Sequence, residues 1–127
     1  LGARELESFL ADDASFRGAM ARLIRSLGHS VAAFDSAEDF LMSDRVNETE
    51  CLICDIRMPR MSGIELQRNL IANEHRSPSM FVTAHPTKGA REEALAAGAI
   101  GFLSKPCDED ALIALLDQAL RGRSAPG

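Results

Sequence analysis

The chain has 127 residues, of which 46% are hydrophobic and 26% are charged, and this composition predicts one soluble domain that can bury its own core. Nineteen acidic residues against 14 Lys and Arg give a formal net charge of -5, which argues against direct binding of nucleic acid or an anionic membrane surface. No apolar run approaches the roughly 18 residues that a membrane span needs, and charged residues near the start exclude the apolar core of a signal peptide.

Five short apolar runs alternate with five amphipathic stretches along the chain. The runs cover residues 9–11, 31–34, 51–54, 80–82 and 100–103, and their continuous apolar character is typical of parallel strands that are covered on both faces. Strand alternating with helix five times predicts an α/β fold with a parallel sheet and right-handed crossovers. Residues 1–121 are assigned to this domain, and residues 122–127 to the beginning of a linker.

The helices carry recognisable start and stop signals. The first has apolar residues at helical spacing from Phe16 to Leu27 and ends at Gly28. Ser36 with Asp39, and Ser62 with Glu65, have the spacing of capping boxes for the second and third helices. The fourth helix, near residues 87–97, is rich in Ala and is expected to be the least firmly packed. Asp108 is expected to cap the fifth, whose inner face comprises Leu112, Leu115, Leu116 and Leu120.

The three cysteines are expected to be reduced thiols in a cytoplasmic protein, because their number is odd and we find no pattern of a secretory signal. Cys51 and Cys54 form a C-x-x-C pattern, but they lie in a predicted strand, where alternation points them to opposite faces. No second pair of ligands has the spacing of a zinc site. We interpret both as small buried hydrophobic residues.

Charged and hydroxyl side chains follow four of the five predicted strands. Asp12 and Asp13 follow the first, Asp55 the third, Thr83 the fourth, and Lys105 lies just after the fifth. A single such Asp is most often a turn former or a helix cap. Four strand ends with complementary charges favour a ligand site, because open α/β sheets bind ligands at the carboxyl ends of their strands.

The chemistry of this group of residues suggests a phosphoryl site. Clustered carboxylates repel each other unless a cation separates them, and hard oxygen ligands suit Mg²⁺. An aspartate can carry a phosphoryl group as an acyl phosphate. The chain has only two lysines, Lys88 and Lys105. Lys105 offers a compact positive charge for phosphoryl oxygens.

Several motifs in this order resemble the response-regulator receiver domain of two-component signalling. They are Asp12-Asp13, the stretch from Asp55 through Met58-Pro59 to Met61-Ser62-Gly63, Thr83-Ala84, and Lys105-Pro106. The amino-acid sequence around residues 61–67 and 96–99 is most similar to that of the FixJ-type subfamily. The resemblance implies a flavodoxin-like, doubly wound, five-stranded parallel sheet in the order 2-1-3-4-5 with five helices. It also implies a bacterial phosphorelay protein.

The resemblance also implies a role for each site residue. Asp55 is expected to accept the phosphoryl group from a sensor histidine kinase or phosphotransfer protein, with Lys105 and Thr83 contacting that group. Asp13, Asp55 and the backbone carbonyl of Arg57 are expected to hold Mg²⁺, with Asp12 assisting through water.

Thr83 and Phe102 are the expected switch pair, and a cis peptide is expected before Pro106. A homodimer formed on phosphorylation and an output domain beyond residue 127 are compatible with the resemblance.

Two alternatives from other classes remain open. An aspartyl-phosphate phosphohydrolase would need a second carboxylate two residues after the nucleophile, where this chain has Arg57, so we expect a signalling switch rather than an enzyme acting on an external substrate. A phosphorylation-independent binding module would be expected to have lost the acidic or lysine positions, and all are present. A dinucleotide-binding domain is disfavoured because no G-x-G-x-x-G follows the first strand.

Some features depart from the family pattern or have two interpretations. Glu5, Glu7 and Ser8 precede a short first apolar run and are expected before the strand or at its exposed end. Arg17, Arg22 and Arg25 form either part of a kinase-docking surface or a solvated helix face. The histidines, His29, His75 and His85, are interpreted as surface or loop residues. Met58 and Met61 are expected to pack in the loop over the site.

Overall fold

Five strands and five helices alternate along the chain. The computed structural model describes residues 6–75, 77–105 and 108–124, with only the backbone given for residues 120–124. The strands are β1 (Leu6–Leu10), β2 (Ser30–Phe34), β3 (Cys51–Asp55), β4 (Ser79–Thr83) and β5 (Gly101–Ser104). The helices are α1 (Ala14–Ser26), α2 (Ala37–Leu41), α3 (Gly63–Ala72), α4 (Lys88–Ala96) and α5 (Glu109–Ser124). None of the described helices is long and apolar enough to cross a bilayer.

The strands form one parallel sheet in the order β2-β1-β3-β4-β5. In its register Phe9 lies beside Ile53, and Ile53 lies beside Met80. All strands run the same way, so their carboxyl ends meet at one edge, with β1 and β3 adjacent at the centre. The predicted flavodoxin-like topology is confirmed.

Two apolar cores cover the two faces of the sheet. One packs Met20 and Ile24 of α1 and Leu112 and Leu116 of α5 against Phe9 and its neighbours. The other, on the opposite face, contains Phe40, Leu66, Leu70 and Ala94 from α2, α3 and α4, together with Phe81 of β4. This is the doubly wound arrangement, with helices on both faces.

The two cysteines of the C-x-x-C pattern lie on opposite faces, as predicted. Cys51 belongs to the α1/α5 core and Cys54 to the other, and both are buried free thiols. Burial raises the pKa of the Cys54 thiol, and the nearby negative charge of Asp55 raises it further by a smaller amount. Cys54 is therefore an inert core residue. Cys107 lies outside the described residues.

The prediction that Glu7 and Ser8 lie outside the sheet is wrong. Both are inside β1 and fully buried. The Ser8 hydroxyl lies 2.7 Å from that of Thr49, and a carboxylate oxygen of Glu7 lies 3.1 Å from His29 Nδ1. Buried polar groups are tolerated when they have such partners. His29, interpreted as a surface residue, is partly buried. Glu5 lies outside the described residues.

The helix caps agree with most of the sequence signals. Ser62 and Glu65 form a reciprocal capping box at α3, whereas Ser36 caps α2 by accepting from the Asp39 N–H without the return bond. The Asp39 carboxyl instead shares a hydrogen bond with Asp35, which is the largest cause of its raised pKa. The Asp108 side chain accepts from the Asp110 N–H at the start of α5, as predicted.

Two features of the helices refine the predicted boundaries and packing. The fourth helix begins after its Thr87 cap, and Ala94 is its one buried residue among those described, which fits the expected weak packing. Leu112 and Leu116 are buried in the inner face of α5 and Leu115 partly so, whereas the side chain of Leu120 is outside the description. Because α5 continues to Ser124, it passes the predicted domain end at residue 121. The assignment of a linker beyond that point stays a prediction.

Candidate functional site

A cavity of about 320 Å³ opens at the carboxyl edge of the sheet. Its lining contains six of the predicted site residues, namely Asp12, Asp13, Asp55, Arg57, Thr83 and Lys105, together with Ala84 and His85. They lie at or just after the ends of β1, β3, β4 and β5. Residues far apart in the sequence are thus brought together because the parallel strands all end at this edge.

Asp55 lines the cavity as the last residue of the central strand β3. The residue is 4% exposed. Its Oδ2 accepts a hydrogen bond from Lys105 Nζ at 2.6 Å, and its Oδ1 accepts from the Arg57 N–H at 3.2 Å. A short, charge-assisted contact of this kind fixes the carboxylate in one orientation.

Lys105 approaches Asp55 from the segment after β5. Its backbone N–H donates to the carbonyl of Thr83 at 2.8 Å, which continues the pairing of β5 with β4. Its ammonium group also lies 4.2 Å from the centroid of the Phe16 ring. Pro106 lies outside the described residues, as does the peptide bond expected to be cis before it.

Thr83 is buried at the end of β4, and its hydroxyl accepts a hydrogen bond from the His85 N–H at 3.1 Å. That contact uses the acceptor side of the hydroxyl, so its hydrogen can be donated to a ligand in the cavity. Phe102 lies on β5 and packs, partly buried, against the core on the α4 side. The two residues of the expected switch pair are thus on adjacent strands.

Asp12 and Asp13 have different environments, although they are neighbours in the sequence. Asp13 is the N-cap of α1, and its Oδ1 accepts from the Phe16 N–H at 3.1 Å. No described side chain or backbone group contacts the Asp12 carboxylate within hydrogen-bond distance. The interpretation of such an Asp as a helix cap, which was the simpler one from the sequence, therefore applies to Asp13.

The donor set of the cavity suits a hard divalent cation. Three carboxylates line it, and carboxylate oxygens are the ligands that Mg²⁺ prefers. Within the described ranges, however, no three acidic, His or Cys side chains are close enough together to bind one ion. In this structure Asp13 Oδ1 accepts a hydrogen bond from the Phe16 N–H, and Asp55 Oδ2 accepts one from Lys105 Nζ.

The loop after Asp55 packs as predicted. Met58 is buried and Met61 is partly buried against the α3/α4 core. Arg60 in this loop has a left-handed backbone with φ of 69° and forms an ion pair of 3.5 Å with Glu38. These contacts hold the segment that carries the backbone of Arg57.

The remaining candidates differ in their surroundings. The Arg17 guanidinium donates to the carbonyl of Ala11 at 2.8 Å and so holds the start of α1 at the end of β1. Arg22 and Arg25 are exposed, which both of the interpretations left open would allow. His85 is an exposed loop residue, as expected, and His75 is half-buried. Sequence reasoning treated Phe16 only as a core residue, since nothing local indicates its contact with Lys105.

Comparison with known proteins identifies relatives over nearly the whole chain. A family model described as the response regulator receiver domain matches residues 9–117. The response regulator protein TodT of Pseudomonas putida is 38% identical over 112 residues, which are 88% of this chain and 49% of TodT. The transcriptional regulatory protein FixJ of Bradyrhizobium diazoefficiens is 36% identical over 110 residues, or 87% of this chain and 54% of FixJ.

Solved structures show the same similarity. The response regulator StyR has a TM-score of 0.85 at 42% identity, covering 94% of this chain and 60% of that one. The FixJ-N structure has a TM-score of 0.82 at 31% identity, covering 92% and 94% respectively. The chain spans about half the length of the curated relatives it matches.

Proposed function

The chain belongs to the response regulator receiver domain family, and from that membership we propose that it is a phosphorylation-controlled switch with Asp55 as the phosphoryl acceptor. The observation that carries this proposal is the ion pair of 2.6 Å between Lys105 and Asp55 at the base of the strand-end cavity. The cavity is lined by the proposed nucleophile Asp55, by the ammonium group of Lys105 and by the hydroxyl group of Thr83.

The proposed chemistry follows from these positions. Asp55 attacks the phosphorus of a phosphohistidine on a sensor kinase or phosphotransfer protein, and the phosphoryl group is transferred from the imidazole nitrogen to a carboxylate oxygen. Lys105 then contacts a phosphoryl oxygen with its ammonium group, and Thr83 donates its hydroxyl hydrogen to another. Positioning and charge neutralisation supply most of the catalysis in such transfers.

We propose Mg²⁺ as the cofactor, held by Asp55, the backbone carbonyl of Arg57 and the two acidic residues after β1. When bound, the ion supplies positive charge that offsets the charge of the phosphoryl oxygens. Of the two acidic residues, Asp13 is proposed as the direct ligand, because its N-cap hydrogen bond occupies Oδ1 and leaves Oδ2 available to the ion. Asp12 is proposed to assist through water.

The output is proposed to be a change of surface. Phosphorylation would favour a conformation in which Thr83 moves toward the phosphoryl group and Phe102 moves with it, altering the surface of α4, β5 and α5. The weak packing of α4, with Ala94 as its buried residue, supports a movable element there. Dimerisation, the kinase that acts on the domain, its cytoplasmic location and an output domain all stay proposals.

The proposal is tested by incubating the protein with Mg²⁺ and acetyl phosphate and measuring its intact mass. We expect the mass to increase by one phosphoryl group, and Asp55→Asn to abolish the increase. Asp44→Asn, which changes an exposed acidic residue outside the cavity, serves as the control. An unchanged mass in the wild-type protein would favour the phosphorylation-independent binding module, whereas persistent labelling of Asp55→Asn would refute the acceptor assignment.

A further inference from the structure

We propose that Phe16 is a positioning residue for Lys105, because the face of its ring holds the ammonium group at the point where that group meets Asp55. The consequence for phosphorylation rests on the proposed function. The contact itself can be tested without any phosphoryl group, so the two can fail separately.

The ammonium group of Lys105 lies between two partners. Its Nζ is 4.2 Å from the centroid of the Phe16 ring and 2.6 Å from Oδ2 of Asp55. A cation at this distance is attracted by the negative face of an aromatic ring. The side chain of Lys105 is 20% exposed, so water only partly weakens the attraction. A long, flexible side chain is thereby restricted at its charged end.

The ring of Phe16 is itself fixed by the structure around it. It packs edge-on against Phe9, with centroids 5.5 Å apart and planes at 61°, and Phe9 is fully buried in β1. The backbone N–H of Phe16 donates to the Asp13 carboxylate. The neighbouring Arg17 binds the carbonyl of Ala11. The first turn of α1 is therefore attached to the end of β1, and it presents the ring to Lys105.

An aromatic ring offers Lys105 something that an aliphatic side chain of similar size cannot. When the carboxylate of Asp55 carries a phosphoryl group, the ammonium has to shift from a carboxylate oxygen to a phosphoryl oxygen. The attraction to the ring is spread over its face and persists through a small shift. Leu at position 16 would fill the space but would leave the ammonium with one partner and with more freedom.

The contact can be observed by NMR of the lysine side chains. The chain has two lysines, and Lys88 is exposed, so it provides an internal reference. Ring current should shift the side-chain methylene protons of Lys105 next to Nζ to lower frequency than those of Lys88. We expect Phe16→Leu to abolish this shift and Phe16→Tyr to retain it.

A matched control is available in the second aromatic pair. Phe34 and Phe40 are also packed edge-on, with centroids 5.3 Å apart, and Lys105 is over the ring of Phe16 rather than theirs. Phe34→Leu therefore removes a comparable packing contact without removing a cation–π contact. Its Lys105 signal is expected to remain as in the wild-type protein.

The effect on the proposed reaction is measured as the initial rate of acetyl phosphate labelling by intact mass. We expect Phe16→Leu to lower the rate roughly three- to tenfold, the size of a partly exposed cation–π contact, and Phe16→Tyr and Phe34→Leu to stay within about twofold of wild type. Equal rates for the two Leu variants would overturn the role in the reaction, and so would a Tyr variant as slow as Phe16→Leu.

The NMR result decides the contact whatever the labelling shows. If the wild-type protein is not labelled but the shift depends on position 16, the proposed function fails and the positioning stands. If the Lys105 signal is the same in Phe16→Leu as in the wild-type protein, the positioning role is refuted.

Discussion

Lys105 Nζ donates a hydrogen bond to Oδ2 of Asp55 across 2.6 Å, although the two residues are 50 positions apart in the sequence. Asp55 ends β3 and Lys105 follows β5, so the contact reaches over the intervening strand β4. The Asp55 residue is 4% exposed, and little water separates the two charges. Any cation that enters the cavity therefore competes with Lys105 for this carboxylate.

Removal of Lys105 should strengthen the binding of Mg²⁺ while slowing phosphorylation. A positive charge a few ångströms from the ion opposes its binding by an energy on the order of 1 kcal/mol, so Lys105→Met should bind Mg²⁺ about fivefold more tightly. Titration calorimetry measures the affinity, with Lys88→Met as the control at an exposed position. Weaker or unchanged binding would show that Lys105 and the ion do not compete for Asp55.

The two acidic residues after β1 should have separable effects on Mg²⁺ affinity. Asp13→Ser is expected to lower it about tenfold or more, because a ligand carboxylate is lost while Ser retains a good N-cap for α1. Asp12→Asn should have a smaller effect, because its carboxylate is proposed to reach the ion only through water. The same titration of both variants makes the comparison.

Asp13→Ala provides the matching measurement of stability. It removes the cap acceptor of the Phe16 N–H and should lower the free energy of unfolding by about 1 kcal/mol. An unchanged Mg²⁺ affinity in Asp13→Ser would show that Asp13 is a helix cap and not a direct ligand.

Gly63 is required where α3 packs against the end of β3. A Cβ added there would lie 2.5 Å from the backbone carbonyl oxygen of Asp55 and 3.1 Å from Cys54 Sγ. Because the closest atom belongs to the backbone, it cannot move aside as a side chain can, and Gly63→Ala should lower the free energy of unfolding by roughly 1–3 kcal/mol. Chemical denaturation measures the change.

Gly89 is the control for this substitution. It lies within α4, and a Cβ there would contact nothing within 4 Å. Gly89→Ala should raise the free energy of unfolding by about 0.5 kcal/mol, because Ala favours the helix. Equal effects of the two substitutions would contradict the close packing at Gly63.

Glu65 should contribute to stability in a pH-dependent way. Hydrogen bonds from the backbone and side chain of Ser62 lower the pKa of its carboxyl from the ordinary value of 4.5. Because the folded-state pKa is depressed, the contribution is fully present above the ordinary pKa and is lost as the pH falls through the lowered one.

The measurement compares the wild-type protein with Glu65→Gln, which keeps a capping side chain but does not titrate. We expect the wild-type protein to have the greater free energy of unfolding at pH 7, and the difference to shrink as the pH is lowered below about 4.5. A difference that is constant from pH 7 to pH 3 would exclude the ionised cap.

The sequence predicted the parallel α/β architecture and the main site residues well, because both depend on local patterns, whereas the strand order came from the family resemblance. Alternating apolar runs and capping signals indicate where strands and helices lie, and parallel strands carry the residues after them to a common edge. Asp55, Thr83 and Lys105 were therefore expected in one cavity, and they line it. Their proposed roles come from the family resemblance and stay proposals.

The wrong predictions concern burial, which depends on partners that are distant in the sequence. Glu7 and Ser8 looked too polar for a central strand, yet His29 and Thr49 provide partners for them inside the fold. Ile71 is another case, because the sequence pattern predicts it on the buried stripe of α3 with Leu66 and Leu70, yet it is 43% exposed. Burial depends on what packs beside a residue, and hydrophobic spacing along one helix does not include that information.

The sequence by itself determined the parallel α/β fold and the set of residues at the strand ends, since these follow from periodicity and spacing along the chain. Its motifs, by their resemblance to known proteins, indicated the family. Only the tertiary structure decided that Asp13 caps α1, that Asp55 is directed to Lys105, and that the ammonium of Lys105 lies over Phe16. The physical reason is that a side chain's direction is set by competition among all the groups within hydrogen-bond or van der Waals distance. Those groups come from distant parts of the chain and meet only in the folded protein.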